Sequence, residues 1–71
     1  MPLVTVKLMD EVFSTAQKKE LITKITDTLV DIEGEAMHPV TWVVIEEVKS
    51  GDWGIGGNAL TADDLRRMQA D

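Results

Sequence analysis

The chain has 71 residues, with 13 acidic against 7 basic side chains, a formal net charge of −6, one histidine and no cysteine. A length of this order allows one domain, spanning 1–71, with a small core; without cysteine for disulfides or thiolate metal sites, partner chains are the remaining source of added burial. The acidic balance and scattered lysines argue against nucleic acid, which needs clustered Lys and Arg, and the run Trp42-Val43-Val44-Ile45 is far short of the ~20 apolar residues that span a bilayer.

No basic segment followed by a long apolar stretch opens the chain, so no secretory signal is expected. The lack of cysteine fits a reducing compartment. A cytoplasmic protein is the expectation.

Pro2 precedes a β-branched run, Leu3-Val4-Thr5-Val6-Lys7-Leu8, which reads as a strand. Removal of Met1 is expected because the next residue is small, and it would leave Pro2 with a free secondary amine. Free α-amino groups titrate at roughly 8 in model peptides, and nearby cations lower that value, so Pro2 is a candidate general base.

Met9 to Phe13 is expected to form a loop. Ser14-Thr15-Ala16-Gln17 places a hydroxyl three residues before a glutamine, the pattern of a reciprocal helix cap. A helix should start there, with an apolar stripe of Leu21, Ile25, Leu29 and Ile32 widened by Ile22. Gly34 supplies a stop, and His38-Pro39 blocks continuation; His38 reads as a loop residue.

Val40 to Val48 is the second expected strand, with Thr41, Val43, Ile45 and Glu47 on one face and Trp42, Val44, Glu46 and Val48 on the other. Two strands joined by one helix form a parallel βαβ unit. One helix covers one sheet face, so the other, carrying Val44 or Val43, must meet another chain. In Gly51-Asp52-Trp53-Gly54-Ile55-Gly56-Gly57 the glycines suit a tight turn or hairpin from which Trp53 and Ile55 project. The stretch lacks the Lys-Ser or Lys-Thr of a nucleotide loop. A short helix is expected from Thr61, whose hydroxyl can cap it. One histidine and no cysteine leave only carboxylates as metal ligands, so no metal site is expected.

The Met-Pro start, the βαβ order and the segment Gly51 to Gly57 after the second strand together resemble the 4-oxalocrotonate tautomerases, also called 2-hydroxymuconate tautomerases. Ser14 to Gln17 at the helix start supports the likeness, which runs from Pro2 to about Gly57. The resemblance implies an α/β fold assembled as a homohexamer, a trimer of dimers. It also implies an isomerase that uses no cofactor, in which the N-terminal proline shuttles a proton between oxygen and carbon of a small enol or dienol acid. By position, Pro2 matches the base and Trp53 an aromatic wall; Trp42 and Ile55 are the other candidate substrate contacts. Interface packing is the competing role for both tryptophans.

The family's two arginines, one in the loop after the first strand and one at the start of the second, do not carry over. Here those places hold Met9-Asp10-Glu11-Val12-Phe13 and Trp42, and the only arginines are Arg66 and Arg67 near the C-terminus. Carboxylates such as Asp10 or Glu11 would favour the protonated amine, whereas cations lower its proton affinity. Missing donors also cost transition-state stabilisation, about 2.7 to 4 kcal/mol for one well-placed group. Weak activity toward a dianionic muconate, or a less charged substrate, is therefore expected, unless Arg66, Arg67, Lys7 or Lys49 reaches a neighbour's pocket. Two other readings share the scaffold: a hydratase or dehalogenase using the same proline, with Asp10, Glu11 or Glu46 to position water, and a catalytically silent assembly subunit.

Overall fold

Two long strands, paired in parallel, set the frame on which every other element hangs. In the computed structural model, which describes residues 2–70, β1 (Leu3–Met9) lies beside β2 (Trp42–Val48), in register from Leu3 opposite Trp42 to Met9 opposite Val48. Met1, whose removal is expected from the sequence, lies outside the described residues. The crossover is α1 (Thr15–Glu33), followed by a 3-10 segment, Glu35–Val40.

Helix α1 starts where its cap chemistry dictates. Ser14 Oγ accepts from the Gln17 amide at 3.1 Å and the Ser14 amide donates to Gln17 Oε1 at 2.8 Å, so two end groups that the helix cannot pair internally satisfy each other. The helix ends at Gly34, whose φ of 105° few other residues tolerate. Its amide donates back to the Val30 carbonyl at 2.8 Å.

Three local expectations need correction. His38 is not a loop residue: it belongs to the 3-10 segment, with Nδ1 3.1 Å from Glu35 Oε1. Proline stops the α-helix by removing an amide donor, yet its fixed φ suits a short 3-10 turn. For the same reason β2 begins at Trp42 rather than Val40. Met9 is the last residue of β1, not the first of a loop, and it is buried.

The sheet has one covered and one open face. Val4, Val6, Leu8, Val43 and Ile45 are half-buried, and on the same face Lys18 of α1 reaches Glu47 at 2.8 Å. The opposite face is open: Leu3 is 63% and Trp42 53% exposed, and Val44 is exposed beside them. The apolar stripe also needs revision. Val30 is the most buried residue of α1 at 7%, whereas Ile32 is 82% exposed, and Glu33 takes the half-buried place four residues after Leu29.

Beyond β2 the chain forms an antiparallel hairpin, β3 (Trp53–Ile55) and β4 (Asn58–Leu60). Gly56 and Gly57 make its turn with φ of 56° and 84°; positive φ at both central residues matches strand twist in a two-residue loop. Thr61 then caps α2 (Ala62–Gln69), with Asp64 completing a second reciprocal cap.

The radius of gyration is 14.9 Å and the longest dimension 43 Å, against about 11 Å expected for a compact domain of this length. Among the described residues only Met9, Val30 and Ala62 are buried apolar side chains. Replacing Ser14 with Ala removes the cap acceptor and is expected to destabilise the fold by about 1 kcal/mol, read as a lower urea midpoint at unchanged slope.

Candidate active site

Pro2 stands at the head of the parallel ladder. Its carbonyl accepts from the Trp42 amide at 3.0 Å, which extends the β1–β2 pairing one step beyond Leu3 and fixes the proline beside the start of β2. Pro2 is half-buried. One step back along the register it faces Thr41, and strand alternation puts both on the helix-covered side with Val4 and Val43. The Thr41 hydroxyl lies within hydrogen-bond reach of the Glu33 carboxylate, and of the Met37 carbonyl at 2.8 Å. The Trp42 side chain falls on the other, open face.

The other two candidate residues lie elsewhere in the chain. Trp53, half-buried, pairs with Leu60 at the hairpin base, and Ile55, exposed, sits next to the turn opposite Asn58. The hairpin follows the end of β2 remote from Pro2, with the seven-residue strand between them, a length of about 20 Å. Pro2 and Trp42 are thus adjacent within one chain, while Trp53 and Ile55 belong to its opposite end.

The cations are also distributed along the molecule. Lys7 pairs with Glu46 at 3.3 Å on the open face. Arg66 is carried by α2 to the loop after β1: Nη1 is 2.8 Å from Asp63 Oδ1, and Nη2 donates to the Glu11 carbonyl at 2.7 Å. The sequence offered no arginine within that loop, and the tertiary fold brings one to it. Arg67 pairs with Asp64. Asp10 and Glu11 follow the last residue of β1, so within one chain their carboxylates are remote from Pro2. The Asp10 side chain instead accepts from the Glu11 amide at 2.9 Å, and Glu11 adopts a left-handed φ of 71°.

Sequence reasoning missed Glu33 and Thr41. The available signal was the spacing: Glu33 lies four residues after Leu29, a place on the sheet-facing side of the helix, where an unpaired carboxylate is costly.

An open depression of 320 Å³ lies on the flank of α1, lined by Phe13, Gln17, Glu20, Leu21 and Lys24. It includes none of the four candidate residues. Across it Glu20 and Lys24 pair at 2.7 Å, a contact that lowers the Glu20 pKa and raises that of Lys24. Among the described residues no three His, Cys, Asp or Glu side chains gather as a metal site, and no helix is long and apolar enough to cross a membrane.

A parallel βαβ unit headed by a proline and followed by a glycine-turned hairpin is the 4-oxalocrotonate tautomerase type of fold. A solved structure described as apo unFused 4-OT matches with a TM-score of 0.72 at 27% identity, over 92% of this chain and 100% of that one. The fold alone is shared with DmpI from Helicobacter pylori, at a TM-score of 0.61 and 23% identity, over 93% of this chain and 94% of that one. The chain belongs to the Tautomerase family: the family profile, "Tautomerase enzyme", matches residues 2–63. It is 42% identical to the "Probable tautomerase K2" of Dickeya dadantii across 99% of this chain and 98% of that protein. It is 40% identical to the "Probable tautomerase Cj0270" of Campylobacter jejuni across 87% and 90%.

The hold on Arg66 depends on α2, whose cap has a pH limit. Asp64 accepts from the Thr61 amide and its own amide takes the Thr61 hydroxyl as acceptor. The Thr61 hydrogen bonds, then Arg67, set the Asp64 pKa below its usual 3.8. A folded-state pKa below the unfolded value adds stability above the unfolded value, and that stability is lost as pH falls through the folded one. Amide resonances of Ala62 to Asp64 are therefore expected to lose their helical shifts below about pH 3.8, an effect that Asp64→Asn removes.

Proposed function

We propose that the chain is a cofactor-independent tautomerase in which Pro2, its nitrogen freed by removal of Met1, moves a proton on a small enol or dienol 2-hydroxy acid. The observation that carries this reading is the position of Pro2. The family match starts at this residue, and the Trp42 amide holds its carbonyl at the ladder head. The amine takes the proton from the 2-hydroxyl as the enol O–H bond breaks. The double bonds shift, and the ammonium returns that proton to carbon, forming the C–H bond of the keto acid. No atom or electron is gained or lost.

The pocket is completed by other copies of the chain. Leu3, Trp42 and Val44 form an open apolar face, and the hairpin bearing Trp53 and Ile55 extends away from its own Pro2. In a trimer of dimers one neighbour covers this face while the hairpin of another reaches over Pro2 at the head of the ladder, which gives the base the dry surroundings that favour a neutral amine. Arg66 of a neighbour, with N–H groups left beyond those given to Asp63 and Glu11, is the cation for the substrate carboxylate. A single such cation suits a singly charged acid better than a dianion.

With processing verified by mass spectrometry, Pro2→Ala is expected to lower kcat/KM for ketonisation at least 100-fold, followed by ultraviolet absorbance on 2-hydroxymuconate and on a singly charged 2-hydroxyalkenoate. Full activity in Pro2→Ala, or in protein that retains Met1, would refute the reading. Arg66→Ala is expected to raise KM roughly tenfold, the loss of one charged hydrogen bond, with kcat less affected. Trp42→Glu places a charge in the apolar face and is expected to give monomers by sedimentation velocity and to abolish turnover; hexamers with normal turnover would remove the assembly argument.

A further inference from the structure

The contact between Glu33 and Thr41 joins the end of α1 to the start of β2 at the residue that faces Pro2. Both side chains are half-buried. The Thr41 hydroxyl has one proton and two acceptors in reach, the Glu33 carboxylate and the Met37 carbonyl, so it serves one at a time. Glu33 has no cationic partner among the described residues. A half-buried carboxylate with one contested donor is short of positive charge; on its side of the sheet Lys18 is taken by Glu47 at 2.8 Å, near the far end of the ladder, which leaves the Pro2 ammonium as the group placed to supply it.

We infer that Glu33, held by Thr41, is a positioning residue for Pro2: its carboxylate stabilises the protonated amine while the proton is in transit from oxygen to carbon. This rests on the proposed role of Pro2 as base. The charged groups on surrounding elements leave Glu33 as the one suited to the task. On the last turn of α1, Asp31 is exposed. On the 3-10 segment, Glu35 and His38 pair with each other at 3.1 Å. The first charges on the strands, Lys7 and Glu46, pair on the opposite face, about 16 Å along the ladder from Pro2.

The sign follows from the charge. An adjacent carboxylate favours the ammonium, so it raises the proton affinity of Pro2 and moves the acid limb of the kcat/KM profile to higher pH. Glu33→Gln keeps an acceptor for Thr41 and removes the charge. Its acid limb is expected about one pH unit below that of the unaltered enzyme, measured on a singly charged enol acid between pH 5 and 9. Thr41→Val breaks the same contact but keeps the charge, and its limb should lie at or above the original midpoint. In the unaltered protein, the Glu33 carboxyl carbon followed by NMR should show an inflection at the midpoint of the Pro2 titration. The inference is overturned if the Glu33→Gln limb does not move, if both variants shift downward together, or if that inflection is missing. Pro2→Ala separates the two levels: loss of activity with an unmoved Glu33→Gln limb overturns this inference alone, and full activity overturns the role of Pro2 as well.

Discussion

Parallel pairing of β1 with β2 is the constraint from which the remaining geometry follows. Parallel strands cannot be joined by a tight turn, so a crossover must return the chain to the head of the ladder. The crossover brings the end of α1, the 3-10 segment and the first residues of β2 to the side of Pro2. Glu33, Thr41 and Trp42, more than thirty residues after Pro2 in the sequence, come to its side because the ladder begins there. The same pairing carries the hairpin and α2 to the other end, which separates Trp53 and Ile55 from Pro2 within a chain.

The second constraint is a shortage of burial. One helix laid on a two-stranded sheet encloses little, and only three apolar side chains among the described residues are buried. Leu3, Trp42, Ile32 and Ile55 are left in contact with water, at a cost of roughly 25 cal/mol for each Å² that could be covered. That unmet burial and the divided site ask for the same remedy, a neighbouring copy. In this reading the pocket and the stability of the fold arise from one association.

The chain's arginines, Arg66 and Arg67, both belong to α2, and the guanidinium that meets the loop after β1 comes from there. On the side of the sheet that Pro2 shares, the end of α1 brings a carboxylate, Glu33, to Thr41. In the proposed reading, a base so placed would hold its proton more firmly, and a pocket with less positive charge would select against doubly charged acids.

Much of the fold was legible in the sequence because its signals are local. The Ser14 and Thr61 caps, the Gly34 stop, the Gly56-Gly57 turn and the alternation in both strands depend on residues a few positions apart. The parallel βαβ order followed from strand, helix, strand. The family was legible through Pro2 and the run Gly51 to Gly57. Ile32 and Glu33 show where that legibility ended: periodicity reports where apolar residues recur, not which neighbour covers them, so a residue on the stripe stayed exposed while a carboxylate beside it turned inward. The sequence by itself determined the elements, their order and the identity of the proline at the head. Only the tertiary structure decided that Thr41 faces Pro2, that Glu33 reaches Thr41, and that Arg66 meets the Glu11 loop across 55 residues of chain. The first and last of these are set by strand register and the path of the crossover, and the second, although its partners are eight residues apart, by the turn that the 3-10 segment makes between α1 and β2.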